Sequence, residues 1–556
     1  MANIDGRKVE RGTRLECDVC VVGAGAAGIT LALELAQSNL SVILLESGGH
    51  APDAATQDLY DGDVADPSVH SLPRHYRRRQ FGGTTTIWGG GCVPYDPIDF
   101  EDRDYVPFSG WPFGREEMDR WYPRANRLLE AGDFRYHVAD ALPGEPRELV
   151  PGFRSDRLLD TLVERNSPPT DFARRYGPLL RDLPRVRVLL HSNCTRIAAA
   201  PDGHSIDHLD VATLSGNEFT VAARRFVLAT GGLEVPRLLL ASRDVHPDGI
   251  GNGRDLVGRF YMRHLSGSVG RLHLPVRASS LRYGIHTSPD GIYCRRLFSI
   301  SPDEQRRARI GNIIMRLWSP MADPTHRSGG LSTLYLLGKL LPYERKKWSR
   351  GAPEPAGLVA KHLRNVATDP AGAAAFASRV VRRALTGRNY PTMMTGPRAD
   401  WYSLNFVSEQ EPNPQSRVRL GERRDALGMP RLHIDWRYTA ADVRTVTHAY
   451  RVVADEFART GAGRFEHADE EVEQTIRFNG AYDAHHIGTT RISETPSTGV
   501  VDRHCRVHGV ENLFVCSASV FPTGSHALPT LTIVAMAVRL AAHLRAAAAR
   551  PVAVSV

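Results

Sequence analysis

Lysine is scarce in this chain: Lys8, Lys339, Lys346, Lys347 and Lys361 are the only five among 70 basic residues in 556. Arginine therefore carries the positive charge, a bias that fits a GC-rich coding sequence better than a partner. The excess over 62 acidic residues is +8, modest over this length, and no long basic tract gathers it, which argues against nucleic acid. Cysteine is sparse too. Cys17, Cys20, Cys92, Cys194, Cys294, Cys505 and Cys516 are an odd set without the spacing of a disulfide framework, as expected of a reducing cytoplasm. Cys17 and Cys20 form a CxxC beside the first predicted strand with no second pair, so strand packing accounts for them better than redox or zinc chemistry. No metal site is expected. No apolar run reaches the roughly 18 uninterrupted residues of a membrane helix; the nearest, 531–544, is broken by Arg539 and His543. The N-terminus, MANIDGRKVERGTRLE, has no apolar stretch behind its basic residues, so no secretory signal is expected.

What is present is a globular composition, 42% hydrophobic and 24% charged, unlike that of disordered, collagenous or coiled-coil chains. The length suggests roughly three or four domain-sized masses, or two large ones built from interleaved segments.

The densest local signal comes first. An apolar run, 17–22, breaks into Gly23-Ala24-Gly25-Ala26-Ala27-Gly28, a helical pattern spans 29–37, and a second strand, 41–45, ends in Glu46. Strand, glycine turn, helix, strand and an acid about 20 residues on is the unit that holds the ADP half of a dinucleotide. Gly23 makes the tight turn, Gly25 lets backbone approach a pyrophosphate, Gly28 lets helix and strand pack, and Glu46 is placed for ribose hydroxyls. The helix N-terminus offers unpaired N–H groups to the phosphates.

A second glycine-rich stretch, Arg77-Arg78-Arg79-Gln80-Phe81-Gly82-Gly83-Thr84-Thr85-Thr86-Ile87-Trp88-Gly89-Gly90-Gly91, suits backbone lying against something large and flat, such as an isoalloxazine ring. Its three arginines either compensate cofactor phosphates or form a solvated face. Strands are predicted at 186–190, 210–214 and 225–228, the last turning at Ala229-Thr230-Gly231-Gly232 into a helix over 235–242. Residues 263–480 read differently, with basic, alanine-rich helices at 332–341 and 372–385, strands at 401–407, 417–420 and 431–435, and a Pro/Gly-rich loop at 351–357. The C-terminal part carries Ala484-His485-His486-Ile487-Gly488-Thr489-Thr490-Arg491, the strand-like run 512–516, and Pro522 to Thr532 leading into a helix over 533–548 with Pro529 at its start.

Five of these motifs, VVGAGAAG with Glu46, FGGTTTIWGG, ATGGLEVPRLLL, HHIGTTRI and NLFVCSASVFPTG followed by PTLTIVAMA, together resemble the glucose-methanol-choline oxidoreductases, nearest the pyranose oxidase and sugar dehydrogenase branch. The resemblance covers both ends and the middle strand and thins over 263–480. It implies an α/β fold: a Rossmann-like FAD-binding domain assembled from 1–100, 186–262 and 485–556, and a substrate-binding domain, 101–185 and 263–484, with an antiparallel sheet and helices. It implies cofactor contacts from Gly23, Gly25, Ala26, Ala27, Gly28 and Glu46; from Gly82, Gly83, Thr84, Trp88, Gly89 and Gly90; from Cys194, Ala229, Thr230 and Gly231; and from Ser517, Ala518, Leu528, Pro529 and Thr530.

By motif, His485 matches the family's catalytic histidine. A base near the hydroxyl is intelligible without the family, because an alcohol yields hydride readily only as it loses its proton, help worth roughly 10² to 10⁴ in rate. The bland alternative is that His485 and His486 are both structural, and His486 is expected to point away and satisfy a hydrogen bond. One departure stands out. The family's second catalytic residue, an Asn or His, precedes the PTLT proline, where this chain has Leu528. His526 could swing into that role; otherwise the site is unusually apolar and its chemistry or substrate has shifted, towards a tailoring-type alcohol or the lyase-like activity the family also contains. Where covalent members carry a flavin-linking histidine this chain has Ile87, so FAD is expected to bind non-covalently. The expected partners are a small-molecule alcohol and O2 or another electron acceptor.

Overall fold

A computed structural model of the chain describes residues 3–276, 280–319, 321–340, 356–386, 397–481 and 485–549. The expected loop at 351–357 lies outside them but for its last two positions. The nucleotide-binding half is built from β1 (Arg14–Val22), α1 (Ala26–Leu35), β2 (Val42–Leu45), β3 (Val186–Leu190), β4 (Asn193–Ala199), β5 (Ile206–Ala212), β6 (Glu218–Leu228), α2 (Gly231–Ala241), β7 (Leu513–Val515) and α3 (Thr530–Ala549). The short strand Ile4–Asp5 starts the sheet and is followed by β3, β2, β1, β6, β5 and β4, with β7 also pairing with β6.

β1, β2, β3, the second half of β6 and β7 run parallel, with Val22 level with Leu45 and Leu228, and Leu228 level with Val515. Four strands from three distant parts of the chain therefore end on one line. Their residues are apolar on both faces, as a parallel strand covered by helices requires: Val19, Val21, Val42, Leu44 and Val227 on one face and Cys20, Ile43 and Phe226 on the other are all fully buried. Each contributes roughly 1.5–3 kcal/mol by leaving water. A Leu44→Ala change would cost about 2–5 kcal/mol.

α3 is, among the described residues, the one helix long and apolar enough to cross a membrane, which the interrupted apolar run did not suggest. Arg539 is 5% exposed and pairs with Glu117, while Leu531, Val534, Leu540 and Leu544 are buried in the same apolar cluster as α1.

The second sheet is antiparallel, in the order Gly91–Cys92, Leu158–Asn166, Tyr293–Ile300, Ile313–Trp318, Trp401–Ser408, Leu265–His273, Arg464–Glu466. The helix Ala440–Thr460 shares its apolar core. Helices Gly329–Gly338, Leu358–Thr368 and Pro370–Thr386 are inserted between two neighbouring strands, Ile313–Trp318 and Trp401–Ser408. Residues 101–185 contribute to both cores: Trp111, Tyr122 and Phe172 join the apolar cluster of Val19 and Leu44, whereas Phe153 and Leu158 join that of Phe298 and Phe457, a long-range preference that local composition does not carry. All seven cysteines are free thiols, with Cys20 buried in β1.

Candidate active site

A cleft of about 1070 Å³ opens at the carboxyl ends of β1, β2 and β6, where open α/β sheets bind their ligands. It matches or exceeds the roughly 300–1,000 Å³ of a typical small-molecule site. The turn after β1 shows why three glycines stand there. Gly23 has φ +99°, and a Cβ on it would lie 2.8 Å from the Ala229 carbonyl oxygen. A Cβ on Gly28 would lie 1.8 Å from the Gly23 oxygen, so Gly28 serves packing and stands behind the lining. A Cβ on Gly25 would meet nothing within 4 Å; Gly25 keeps open the space at the start of α1, which has no side-chain cap.

α2 also begins at the cleft without a side-chain cap, at Thr230, and α3 begins there at Thr530 after Leu528 and Pro529. Three helix N-termini, each the positive end of a backbone dipole, thus face one space. Glu46 Oε2 accepts from the Ala24 N–H (2.9 Å) and Oε1 from the Gly48 N–H (2.8 Å). Burial nevertheless pushes its carboxyl above the ordinary value. These bonds leave lone pairs on both oxygens for ribose hydroxyls. The Thr230 hydroxyl is buried in the lining with no partner in the protein. Ala26, Ala27, Ala229, Gly231, Ser517 and Ala518 complete this end, with Cys194, whose thiol burial raises to about 12.

The second glycine stretch covers the cleft from the side. Gly83, Thr84, Trp88, Gly89 and Gly90 line it, with Ile87 46% exposed. Gly83 (φ +56°) lies so close that a Cβ would stand 2.9 Å from Gly25 Cα, while Gly82 packs against Ala173 behind the lining. Trp88 Nε1 donates to the Thr170 carbonyl at 3.1 Å. Of the three arginines, Arg77 and Arg79 form no solvated face. Both pair with Glu234, at 3.0 and 3.3 Å, and lie over the Tyr60 ring. Burial alone would raise the Glu234 carboxyl, but Arg237, Arg77 and Arg79 outweigh it and hold it at about 2.

His485 lines the cleft, and its Nδ1 lies 2.8 Å from Nδ1 of His264, a residue sequence reasoning did not single out. His486 is also among the cleft residues, and its ring stacks 6.1 Å from that of the buried Tyr261, which stands behind the lining. His526 does not take the place of the missing polar residue. It is 1% exposed, outside the lining, and its Nε2 is bound to Asp96 Oδ2 at 2.9 Å. The preceding residue, Ser525, has φ +55°, and this left-handed turn leads His526 away from the cleft. Leu528 remains in the lining, its Cδ1 2.7 Å from where a Cβ on Gly91 would stand. Glu164 Oε1 lies 2.6 Å from the same point, and Glu164 Oε2 accepts from Arg316 Nη2 at 2.6 Å. This ion pair beside Leu528 was not legible either, because its partners sit on strands 150 residues apart.

The open cradle at Gly25, the three uncapped or open helix starts, Glu46 and the orphan Thr230 hydroxyl fit a dinucleotide whose other end is a flat ring system. Fold and cleft define an FAD-dependent oxidoreductase, and comparison with known proteins agrees. The family model described as FAD dependent oxidoreductase matches residues 18–335, and that described as GMC oxidoreductase matches 412–537. The chain belongs to the glucose-methanol-choline (GMC) family of FAD-dependent oxidoreductases. It is 24% identical to paromamine 6'-oxidase of Streptomyces fradiae, over 94% of this chain and 90% of that one. It is also 24% identical to the fructose dehydrogenase large subunit of Gluconobacter japonicus, over 95% and 97%. Among solved structures, pyridoxine 4-oxidase from Mesorbium loti shares the fold with a TM-score of 0.53 and 20% identity, covering 95% of this chain and 99% of that one.

Proposed function

We propose that this enzyme oxidises the hydroxyl group of a sugar, a glycoside or a tailoring-type alcohol, with His485 as the general base. The observation that carries the reading is the position of His485 in the wall of a cleft whose far end is built for a dinucleotide. The names of its relatives, among them an oxidase of paromamine and dehydrogenases of fructose and 2-methyl-1,2-propanediol, support an alcohol substrate. Bound FAD supplies the acceptor for the hydride. His485 takes the hydroxyl proton as the C–H bond weakens, work suited to a neutral imidazole near pH 7. Leu528 presents an apolar side chain beside the Gly89–Gly91 backbone and helps to keep water from the reacting carbon. Gly23, Gly25, Ala26 and Ala27 hold the pyrophosphate, and Glu46 the ribose. With Ile87 at the position that links flavin in covalent members, FAD is held without a covalent bond. O2 or another acceptor takes the electrons afterwards.

The test is anaerobic mixing of the yellow holoenzyme with a panel of polyols, sugars and glycosides. A substrate bleaches the flavin band near stoichiometrically, and His485→Ala slows that bleaching at least roughly 10²-fold. Consumption of a compound with the band unchanged would replace this reading with a lyase-like one.

A further inference from the structure

His264 and His485 are brought together by backbone register. Met262 and Ile487 exchange both backbone hydrogen bonds, at 3.0 and 3.1 Å, as an antiparallel bridge. Two residues on from Met262 is His264, and two back from Ile487 is His485, so the bridge sets the histidines opposite each other. Gly488 makes this close approach possible. Its φ is +88°, and a Cβ there would stand 2.3 Å from the Phe260 carbonyl oxygen. The two rings meet edge to face with centroids 4.8 Å apart. His264 is 2% exposed. Its Nδ1 is 2.8 Å from His485 Nδ1 and its Nε2 is 3.2 Å from the carbonyl oxygen of Gly524, which also accepts from the Tyr95 hydroxyl at 2.8 Å.

We propose that His264 is a positioning residue that fixes the tautomer of His485 and so selects the ring nitrogen that takes the substrate's proton. The inference rests on His485 being the base. A carbonyl oxygen only accepts, so His264 Nε2 carries the hydrogen and His264 Nδ1 carries the lone pair. For two neutral rings at 2.8 Å, the hydrogen between them then belongs to His485 Nδ1. The lone pair of His485 is left on Nε2. The reverse tautomer of either ring would set two lone pairs or two hydrogens against each other in a buried site, where an unmade hydrogen bond is costly. When Nε2 gains a proton, Nδ1–H continues to donate to His264 with the added strength of a charged donor. The same contact therefore orients the ring before transfer and stabilises the cation after it. A second histidine here does what a carboxylate does behind many catalytic histidines, without placing a full charge beside the cofactor.

The assignment is tested by long-range ¹⁵N–¹H spectra of histidine-labelled holoenzyme, with the His485 signals identified by their loss in His485→Ala. The expected wild-type pattern is a protonated Nδ1 and an unprotonated Nε2 on His485 at neutral pH. In His264→Ala the two signals move towards the averaged tautomer mixture of a solvated imidazole, and the titration midpoint of His485 falls, because the hydrogen bond that favoured its cation is gone. Glutamine can accept from His485 through Oε1 and donate to Gly524 through its amide, so His264→Gln restores the wild-type pattern. Anaerobic flavin reduction, followed with any alcohol that bleaches the wild type, slows roughly tenfold to a hundredfold in His264→Ala and less in His264→Gln. A wild-type spectrum with the hydrogen on Nε2 overturns the proposal even if no variant folds, as does a His264→Ala spectrum and titration identical to wild type. If instead His485→Ala leaves flavin reduction intact, the reading of His485 as the base fails while the tautomer assignment stands.

Discussion

His526 Nε2 and Asp96 Oδ2 stand 2.9 Å apart in the interior, and Asp96 also accepts from Asn312 Nδ2 at 3.1 Å. Burial would lower the His526 pKa, but Asp96 outweighs it and raises it above the ordinary 6.5. Burial would raise the Asp96 pKa, but His526 and Asn312 hold it below the ordinary 3.8. The signs set a pH window. The His526 contribution to stability is full below 6.5 and is lost as pH rises through its raised folded value. The Asp96 contribution is present above 3.8 and is lost as pH falls through its lowered folded value. His526→Ala is therefore expected to cost about 3 kcal/mol in denaturant unfolding near pH 6, with a smaller cost towards pH 3 and pH 9. Flavin reduction per bound FAD should fall far less than in His485→Ala, because His526 lies outside the cleft lining. A loss equal to that of His485→Ala would return His526 to the reacting centre.

Two glycines of one turn are expected to fail in different ways. The Cβ of Gly25→Ala enters open space, whereas that of Gly28→Ala stands 1.8 Å from a backbone oxygen. Gly28→Ala should destabilise the apoprotein by about 1–3 kcal/mol or more. Gly25→Ala should leave apoprotein melting unchanged but weaken FAD binding about tenfold, near 1.4 kcal/mol. Flavin content per polypeptide and melting of the stripped protein separate the two. Equal effects of both changes on both measurements would contradict the division of roles.

The nucleotide-binding turn, Glu46, the strand into Ala229-Thr230-Gly231 and the start of α3 were legible because each is a local spacing that the backbone obeys over a few residues. β3 and the helix after Leu528 fall where apolar runs and Pro529 place them. What was not legible depends on residues far apart in the chain. Arg77 and Arg79 look like a solvated face until Glu234 arrives beside them. His264 carries no signal in its own neighbourhood, and its meaning lies in the bridge between Met262 and Ile487. His526 misleads for a further reason: only Ala527 separates it from the cleft position Leu528, but the left-handed Ser525 turns the chain. Trp111 and Tyr122 share a core with the nucleotide-binding half while Phe153 joins the other, because composition cannot say which of two cores an aromatic side chain will enter.

The mode of flavin attachment follows from Ile87, which lines the cleft with an aliphatic side chain. Such a chain has no nucleophilic atom to bond a flavin methyl group. Acid precipitation of the holoenzyme should release all of the yellow colour into the supernatant, and the pellet should be colourless. Flavin fluorescence retained on the denatured polypeptide would show a link through another residue, and peptide mapping would locate it.

Leu528 sits where the family resemblance leads one to expect a polar residue, and its side chain packs beside Gly91. A leucine neither donates to nor accepts from a substrate oxygen, so in the proposed reading the reacting hydroxyl would be held on one side only, by His485. Ordinary sugars, which carry a hydroxyl on nearly every carbon, lose a hydrogen bond on entering, worth roughly 0.5–1.5 kcal/mol between neutral partners and more as charge develops on the oxygen. Leu528→Asn restores that contact. It is expected to raise the rate of anaerobic flavin reduction by D-glucose by roughly tenfold, the factor that about 1.4 kcal/mol represents, and to lower the rate with an alcohol whose apolar end rests on the leucine. The two side chains have the same branching and number of heavy atoms, so the fold should hold. If both rates stay at wild-type values, selectivity resides in the domain of the antiparallel sheet, and the leucine is a bystander.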